Sequence, residues 1–130
     1  MPPTSVDCLR LEGFKVLVVD DNDTCAMLSY FFSEYGAQVT TVSKNSKAIR
    51  LLAEMQPDIL ICCPDEEEVG YGLIQQVRAL RAEQGGRVPA VAITSYLNDK
   101  QAVSMGYQKH LLKPIDFDAL LQAVQELTQT

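Results

Sequence analysis

A surplus of basic residues is missing from this sequence. Lys and Arg number 11 against 17 Asp and Glu, a formal charge of −6 over 130 residues. A phosphate backbone would be repelled by that balance, so no nucleic acid is expected as a direct partner. No apolar run approaches the ~20 residues needed to cross a bilayer. The start, Met1-Pro2-Pro3-Thr4-Ser5-Val6-Asp7, has neither the basic residues nor the apolar stretch of a signal peptide. No membrane partner is expected, and the chain reads as cytoplasmic. The four cysteines, Cys8, Cys25, Cys62 and Cys63, lack C-x-x-C spacing, and the single histidine, His110, stands far along the chain. That excludes a zinc site of the usual kind and leaves reduced, mostly structural thiols. What is present is ordinary for one globular core: 47% hydrophobic and 22% charged residues.

Residues 1–13 are patternless and read as an amino-terminal arm or linker, and residues 14–130 read as one domain. Lys15-Val16-Leu17-Val18-Val19 is a continuous apolar run that stops at Asp20-Asp21-Asn22, as expected of a strand buried on both faces. Asp23 or Thr24 is expected to cap a helix carrying Leu28, Phe31, Phe32 and Tyr35, which Gly36 ends. Gln38–Val42 is a second strand. Ser43 or Asn45 is expected to cap a helix with Ala48, Leu51, Leu52 and Met55 on one face, closed by Pro57. Asp58–Cys63 repeats the buried-strand pattern. A loop through Asp65-Glu66-Glu67-Glu68 follows, then a helix with Leu73, Ile74, Val77 and Leu80 that should end near Gly85-Gly86. Ala90–Ile93 leads to Thr94-Ser95, Asn98 or Asp99 opens a short helix ended by Gly106, Lys109–Leu112 is the fifth strand, and Phe117 to Leu127 mark the last helix.

Five strand-then-helix units, with strands too apolar to be half exposed, predict an α/β fold of flavodoxin-like type. This is a (βα)5 three-layer sandwich with a parallel five-stranded sheet. Such sheets bind ligands beyond the carboxyl ends of their strands, where strand order reverses. The residues that matter are therefore Asp20 and Asp21, Cys62 and Cys63 with the loop after them, Thr94, and Lys113. Two carboxylates would repel a bare phosphate but suit Mg²⁺, which takes one or two carboxylates with waters and phosphoryl oxygens. A hydroxyl and an ammonium converging on the same crevice are what an anion beside that metal requires. Read alone, an Asp-Asp pair at a strand end also serves simply to cap the next helix.

Val18-Val19-Asp20-Asp21-Asn22, Pro57-Asp58-Ile59-Leu60-Ile61, Ala92-Ile93-Thr94-Ser95 and Leu111-Leu112-Lys113-Pro114 resemble, in order, the motifs of the receiver domain of two-component response regulators. The resemblance covers residues 14–128. It implies a sheet of order 2-1-3-4-5, Mg²⁺ on Asp20 and Asp21, and phosphoryl contacts from Thr94 and Lys113. Phosphorelay partners are implied with it: a histidine kinase, an output domain or another receiver. Partners of such receivers engage the fourth helix, fifth strand and fifth helix. That puts Leu97, Lys100, Gln101, Ser104, Tyr107, Lys109 and Phe117 in or near the expected interface.

The departure from the family pattern concerns chemistry. Counted along the third strand from Pro57, the phosphoacceptor position falls on Cys63, and counted back from Val69-Gly70-Tyr71 it falls on Cys62; neither is a carboxylate. Strand register favours Cys63. Two unit charges ~4 Å apart at an effective dielectric near 20 interact by ~4 kcal/mol. Losing one carboxylate ligand thus weakens Mg²⁺ by up to about three orders of magnitude. No cofactor is required on this reading, and bound Mg²⁺ would be weak. Thiolate is a soft ligand and no replacement for the oxygen acceptor of an Mg²⁺-aligned phosphoryl transfer. The chain is thus expected to be a pseudo-receiver and not an enzyme. Two alternatives stay open: a receiver phosphorylated on a displaced acceptor such as Asp65, and a thiol redox switch through Cys63, Cys62 and Cys25. His110, where receivers carry the Tyr or Phe that turns inward, reads as a packed residue of a surface strand.

Overall fold

The computed structural model describes residues 13–19, 22–62, 67–94, 99–112 and 115–128. β1 (Lys15–Val19), β2 (Gln38–Val42), β3 (Ile59–Cys62), β4 (Ala90–Thr94) and β5 (Lys109–Leu112) alternate with α1 (Asn22–Ser33), α2 (Asn45–Met55), α3 (Glu67–Arg78), α4 (Asp99–Met105) and α5 (Phe117–Thr128). The strands form one sheet of order β2-β1-β3-β4-β5, and every neighbouring pair is parallel. This is the expected doubly wound arrangement. Every residue of β3 and β4 is buried, as are four of the five in β1. β2 and β5 are largely half-buried, contrary to the expectation that all strands would be covered. Each lies at a sheet edge with one neighbouring strand, and QVTTV in β2 is polar enough to tolerate it.

Side chains alternate between the two faces, and the core divides accordingly. Val16, Val18, Ile59, Ile61, Val91 and Ile93 pack with Leu28 and Phe32 of α1 and Leu120, Leu121 and Val124 of α5. Leu17, Val19, Leu60, Cys62, Ala90 and Ala92 pack with Leu52 of α2, Leu73, Ile74 and Val77 of α3, and Ala102 of α4. Phe31 bridges α1 to α5, its ring centroid 4.4 Å from that of Phe117. Small residues on the second face of β4 let α3 and α4 approach the sheet closely, and Tyr107 fills the space beside them at 1% exposure.

Element ends depart from the sequence expectation in several places. Lys44, not Ser43 or Asn45, is the N-cap of α2, and it makes no side-chain capping bond; Asn45 already belongs to the helix, and a lysine has no acceptor to offer. At its other end α2 stops on Gln56, which takes the left-handed conformation at φ 46° and bonds back to the Leu52 carbonyl ahead of Pro57. α3 ends at Arg78, well before Gly85-Gly86, and a short 3-10 turn (Ala82–Gln84) fills the gap. A Cβ on Gly86 would stand 2.0 Å from the Leu80 carbonyl oxygen, so that close approach demands glycine. β3 begins at Ile59; Asp58 is used instead to pin the start of β1, accepting from the Lys15 amide at 2.8 Å and donating its own amide to the Lys15 carbonyl at 2.8 Å. α1 starts at Asn22 and α4 at Asp99, so Asp23, Thr24 and Asp99 stand inside their helices and not at the expected caps; Asn98 and residues 1–12 lie outside the described residues.

Candidate functional site

The sheet presents Val19, Cys62 and Ala92 in register across its three central strands. In sequence the first two are followed at once by Asp20-Asp21 and Cys63, and Ala92 is followed two residues later by Thr94. Asp20, Asp21, Cys63, Asp65 and Lys113 lie outside the described residues, as does the Cys25 side chain. Cys62 is fully buried in the second core face, among apolar neighbours. A thiol so placed acts as a small hydrophobe.

Thr94 ends β4 and is also fully buried. Its Oγ1 lies 2.8 Å from Nε2 of His110. The pairing follows from register: Ala92 faces His110 and Thr94 faces Leu112, so Thr94 stands two residues along from the partner of His110 on the same sheet face. His110 is half-buried on the edge strand, as expected, with its ring bonded to Thr94. The sequence placed it on a surface strand, and that bond is what the structure adds.

A cleft of about 430 Å³ runs along the open edge of β5, lined by Lys109, His110 and Leu111 and walled by Val103 of α4 and by Ala119, Gln122 and Glu126 of α5. Lys109 crosses the cleft wall to Glu126, Nζ to Oε2 at 2.5 Å. The hydrogen bond and charge of Lys109 hold the Glu126 carboxyl below its ordinary range. Lys100, Gln101, Val103 and Ser104 of α4 and Leu112 of β5 are exposed around this edge. Tyr107 is not: it is buried at 1% exposure, while Phe117 is half-buried and packs on Phe31. Leu97 lies outside the described residues.

Among the described residues no three His, Cys, Asp or Glu side chains gather in a way that would hold a metal ion. Among them, too, no helix is long and apolar enough to cross a membrane.

A parallel sheet of this order defines a flavodoxin-like α/β domain. The family of the response regulator receiver domain matches residues 16–125, and the chain belongs to it. It is a receiver domain of two-component signalling. The uncharacterized 14.6 kDa protein of the sodA1 3′ region of Leptolyngbya boryana is 34% identical over 121 residues, covering 89% of this chain and 91% of that protein. Among solved structures, the receiver domain of the sensor histidine kinase PA1611 from Pseudomonas aeruginosa, with a magnesium ion coordinated in its active-site cleft, superposes with a TM-score of 0.77 at 24% identity, covering 90% of this chain and 98% of that one. The receiver domain of Saccharomyces cerevisiae Ssk1, solved in complex with the phosphotransfer protein Ypd1, gives 0.76 at 20% identity, covering 88% of each chain. Both likenesses are of fold.

Proposed function

We propose that this receiver domain is a pseudo-receiver, which signals by docking to a protein partner without accepting a phosphoryl group at the family's usual position and without catalysing a reaction of its own. The observation that carries the reading is the register of β3. Cys62, opposite Val19 and Ala92, is the last paired residue of the strand, and the next residue in sequence is Cys63. A thiol in that position offers no oxygen to an in-line phosphoryl transfer. Asp20 and Asp21 are hard oxygen donors that suit Mg²⁺, and the PA1611 receiver holds a magnesium ion in its active-site cleft, but Cys63 is a poor third ligand. Weak Mg²⁺ binding, in the millimolar range, goes with that donor set. Thr94 and Lys113 keep the residue types of the phosphoryl-contacting pair, while the Asp65–Glu68 run adds negative charge that discourages a phosphoryl donor.

Receiver domains work through protein partners, as Ssk1 does with Ypd1. For this chain the partner is a histidine kinase, an output domain or another receiver, and the surface is the edge formed by α4, β5 and α5. Lys100, Gln101, Ser104 and Val103 are exposed there, next to the half-buried Lys109. An interface of about 800 Å² per partner fits such a face. The test is a pull-down against purified kinase, output and receiver domains, with and without acetyl phosphate, comparing wild type with Lys100→Glu/Lys109→Glu. Binding that ignores acetyl phosphate and falls in the double variant supports docking; binding that appears only after acetyl phosphate treatment refutes it.

A further inference from the structure

Two helices at the β2 end of the sheet carry exposed stripes of opposite character. α1 and α2 flank β1 and β2 on opposite faces of the sheet. α1 reads Asn-Asp-Thr-Cys-Ala-Met-Leu-Ser-Tyr-Phe-Phe-Ser and holds no lysine or arginine. Leu28 and Phe32 face the core, while Met27 and Tyr30 stand 45% and 71% exposed. Glu34, also exposed, continues the helical turn, its amide donating to the Tyr30 carbonyl at 3.2 Å. With 3.6 residues per turn, Met27, Tyr30 and Glu34 fall within about 60° of arc. The Tyr30 hydroxyl donates to Glu34, which holds the phenol above its ordinary range and sets the ring beside the carboxylate. An exposed aromatic face next to a negative charge suits an arginine, which stacks on rings and pairs with carboxylates.

α2 offers such a cation. Lys47, Arg50 and Glu54 are exposed on its outer side, away from the buried Ala48 and Leu52, and they repeat the i, i+3, i+7 spacing of the α1 stripe. Among the described residues neither Lys47 nor Arg50 pairs with an acid.

We propose that the α1 stripe is a docking surface for a second copy of this chain, which presents its α2 antiparallel to α1. That orientation sets Arg50 over Tyr30 and Lys47 beside Glu34, and the exposed Ala53 leaves room for Met27. A parallel orientation would bring Glu34 against Glu54, and like charges repel. The chain's formal charge of −6 opposes association, but only weakly. A helix is ~10 Å across and the Debye length is ~8 Å at physiological salt, so charges on the far helix layer are screened from the contact. Because α1 and α2 lie on opposite faces, each copy uses a different helix toward each neighbour, and the contact is heterologous. One helix face on another covers less than the ~1,200–2,000 Å² of a stable complex, so the association is transient. This surface is separate from the edge formed by α4, β5 and α5, and it does not depend on the docking reading above.

Sedimentation velocity of the wild-type chain over a concentration series tests it, in about 0.1 M and about 1 M salt, between which the Debye length falls from ~10 to ~3 Å. Self-association is expected at the lower salt and is lost at the higher. Two variants at exposed positions then separate the halves of the contact: Lys47→Glu/Arg50→Glu keeps the α1 stripe, and Tyr30→Ala/Glu34→Gln keeps the α2 stripe. Each alone is expected to be monomeric, and their equimolar mixture to form a dimer that grows no further, since one complementary pair of faces survives. Circular dichroism checks that both variants fold, and the wild-type series stands whatever they do. A wild-type chain that stays monomeric at every concentration leaves the α1 stripe to a basic helix of another protein and overturns the proposal. Association indifferent to salt, or a mixture of folded variants that stays monomeric, overturns it as well.

Discussion

Thr94 and His110 show how far single residues could be read. That Thr94 ends a buried strand was legible, because Ala92-Ile93-Thr94 passes from apolar to hydroxyl-bearing in one step. That its hydroxyl would meet His110 was not, because the contact is set by the β4–β5 register, a non-local property that periodicity along one strand does not encode. Glu126 gives a residue-scale prediction. Its carboxyl is held below the ordinary range first by the hydrogen bond from Lys109 and then by that ammonium's charge. A carboxyl depressed in the folded state contributes stability that is present above its unfolded pKa, about 4.3, and is lost as pH falls through the folded value. Glu126→Gln should therefore unfold at a lower urea concentration than wild type at pH 7, with the two midpoints converging below about pH 4. The difference will be small, since both side chains are well exposed and screened. A gap that widens on acidification would contradict the assignment.

At the scale of elements, the strands were legible nearly to the residue and the helix ends were not. Apolar runs bounded by polar residues mark buried strands without ambiguity of phase. The end of α3 was misjudged because Leu80 continues the apolar spacing of Leu73, Ile74 and Val77 past the last helical residue. The Arg78 guanidinium turns away from solvent to donate to the carbonyls of Gly106 at 2.9 Å, Gly86 at 3.1 Å and Val88 at 2.7 Å, and to Gln108 Oε1 at 2.9 Å. Gln108 Oε1 in turn accepts the Ala90 amide at 2.7 Å. One side chain thus ties α3 to the segments that lead into β4 and β5, and burial pushes its guanidinium below the usual value. Arg78→Met, which keeps the stem and removes every donor, should cost roughly 3 kcal/mol in urea denaturation, since charged hydrogen bonds are worth about 1.5–3 kcal/mol each and the orphaned carbonyls regain only some water. A loss under about 1 kcal/mol would show that the network is incidental to the fold.

At the scale of the molecule, the strand order and the two-sided core follow from five apolar strands alternating with amphipathic helices, and the sequence motifs at the strand ends match the family that the whole chain belongs to. The fold is complete among the described elements, while on the proposed reading the phosphoacceptor position carries a thiol. That reading is tested most directly by incubating the wild-type chain with acetyl phosphate and Mg²⁺ and reading the intact mass, with Cys63→Asp treated in parallel. The account predicts an unmodified wild-type mass, whereas a hydroxylamine-labile phosphate added to the wild-type chain would contradict it.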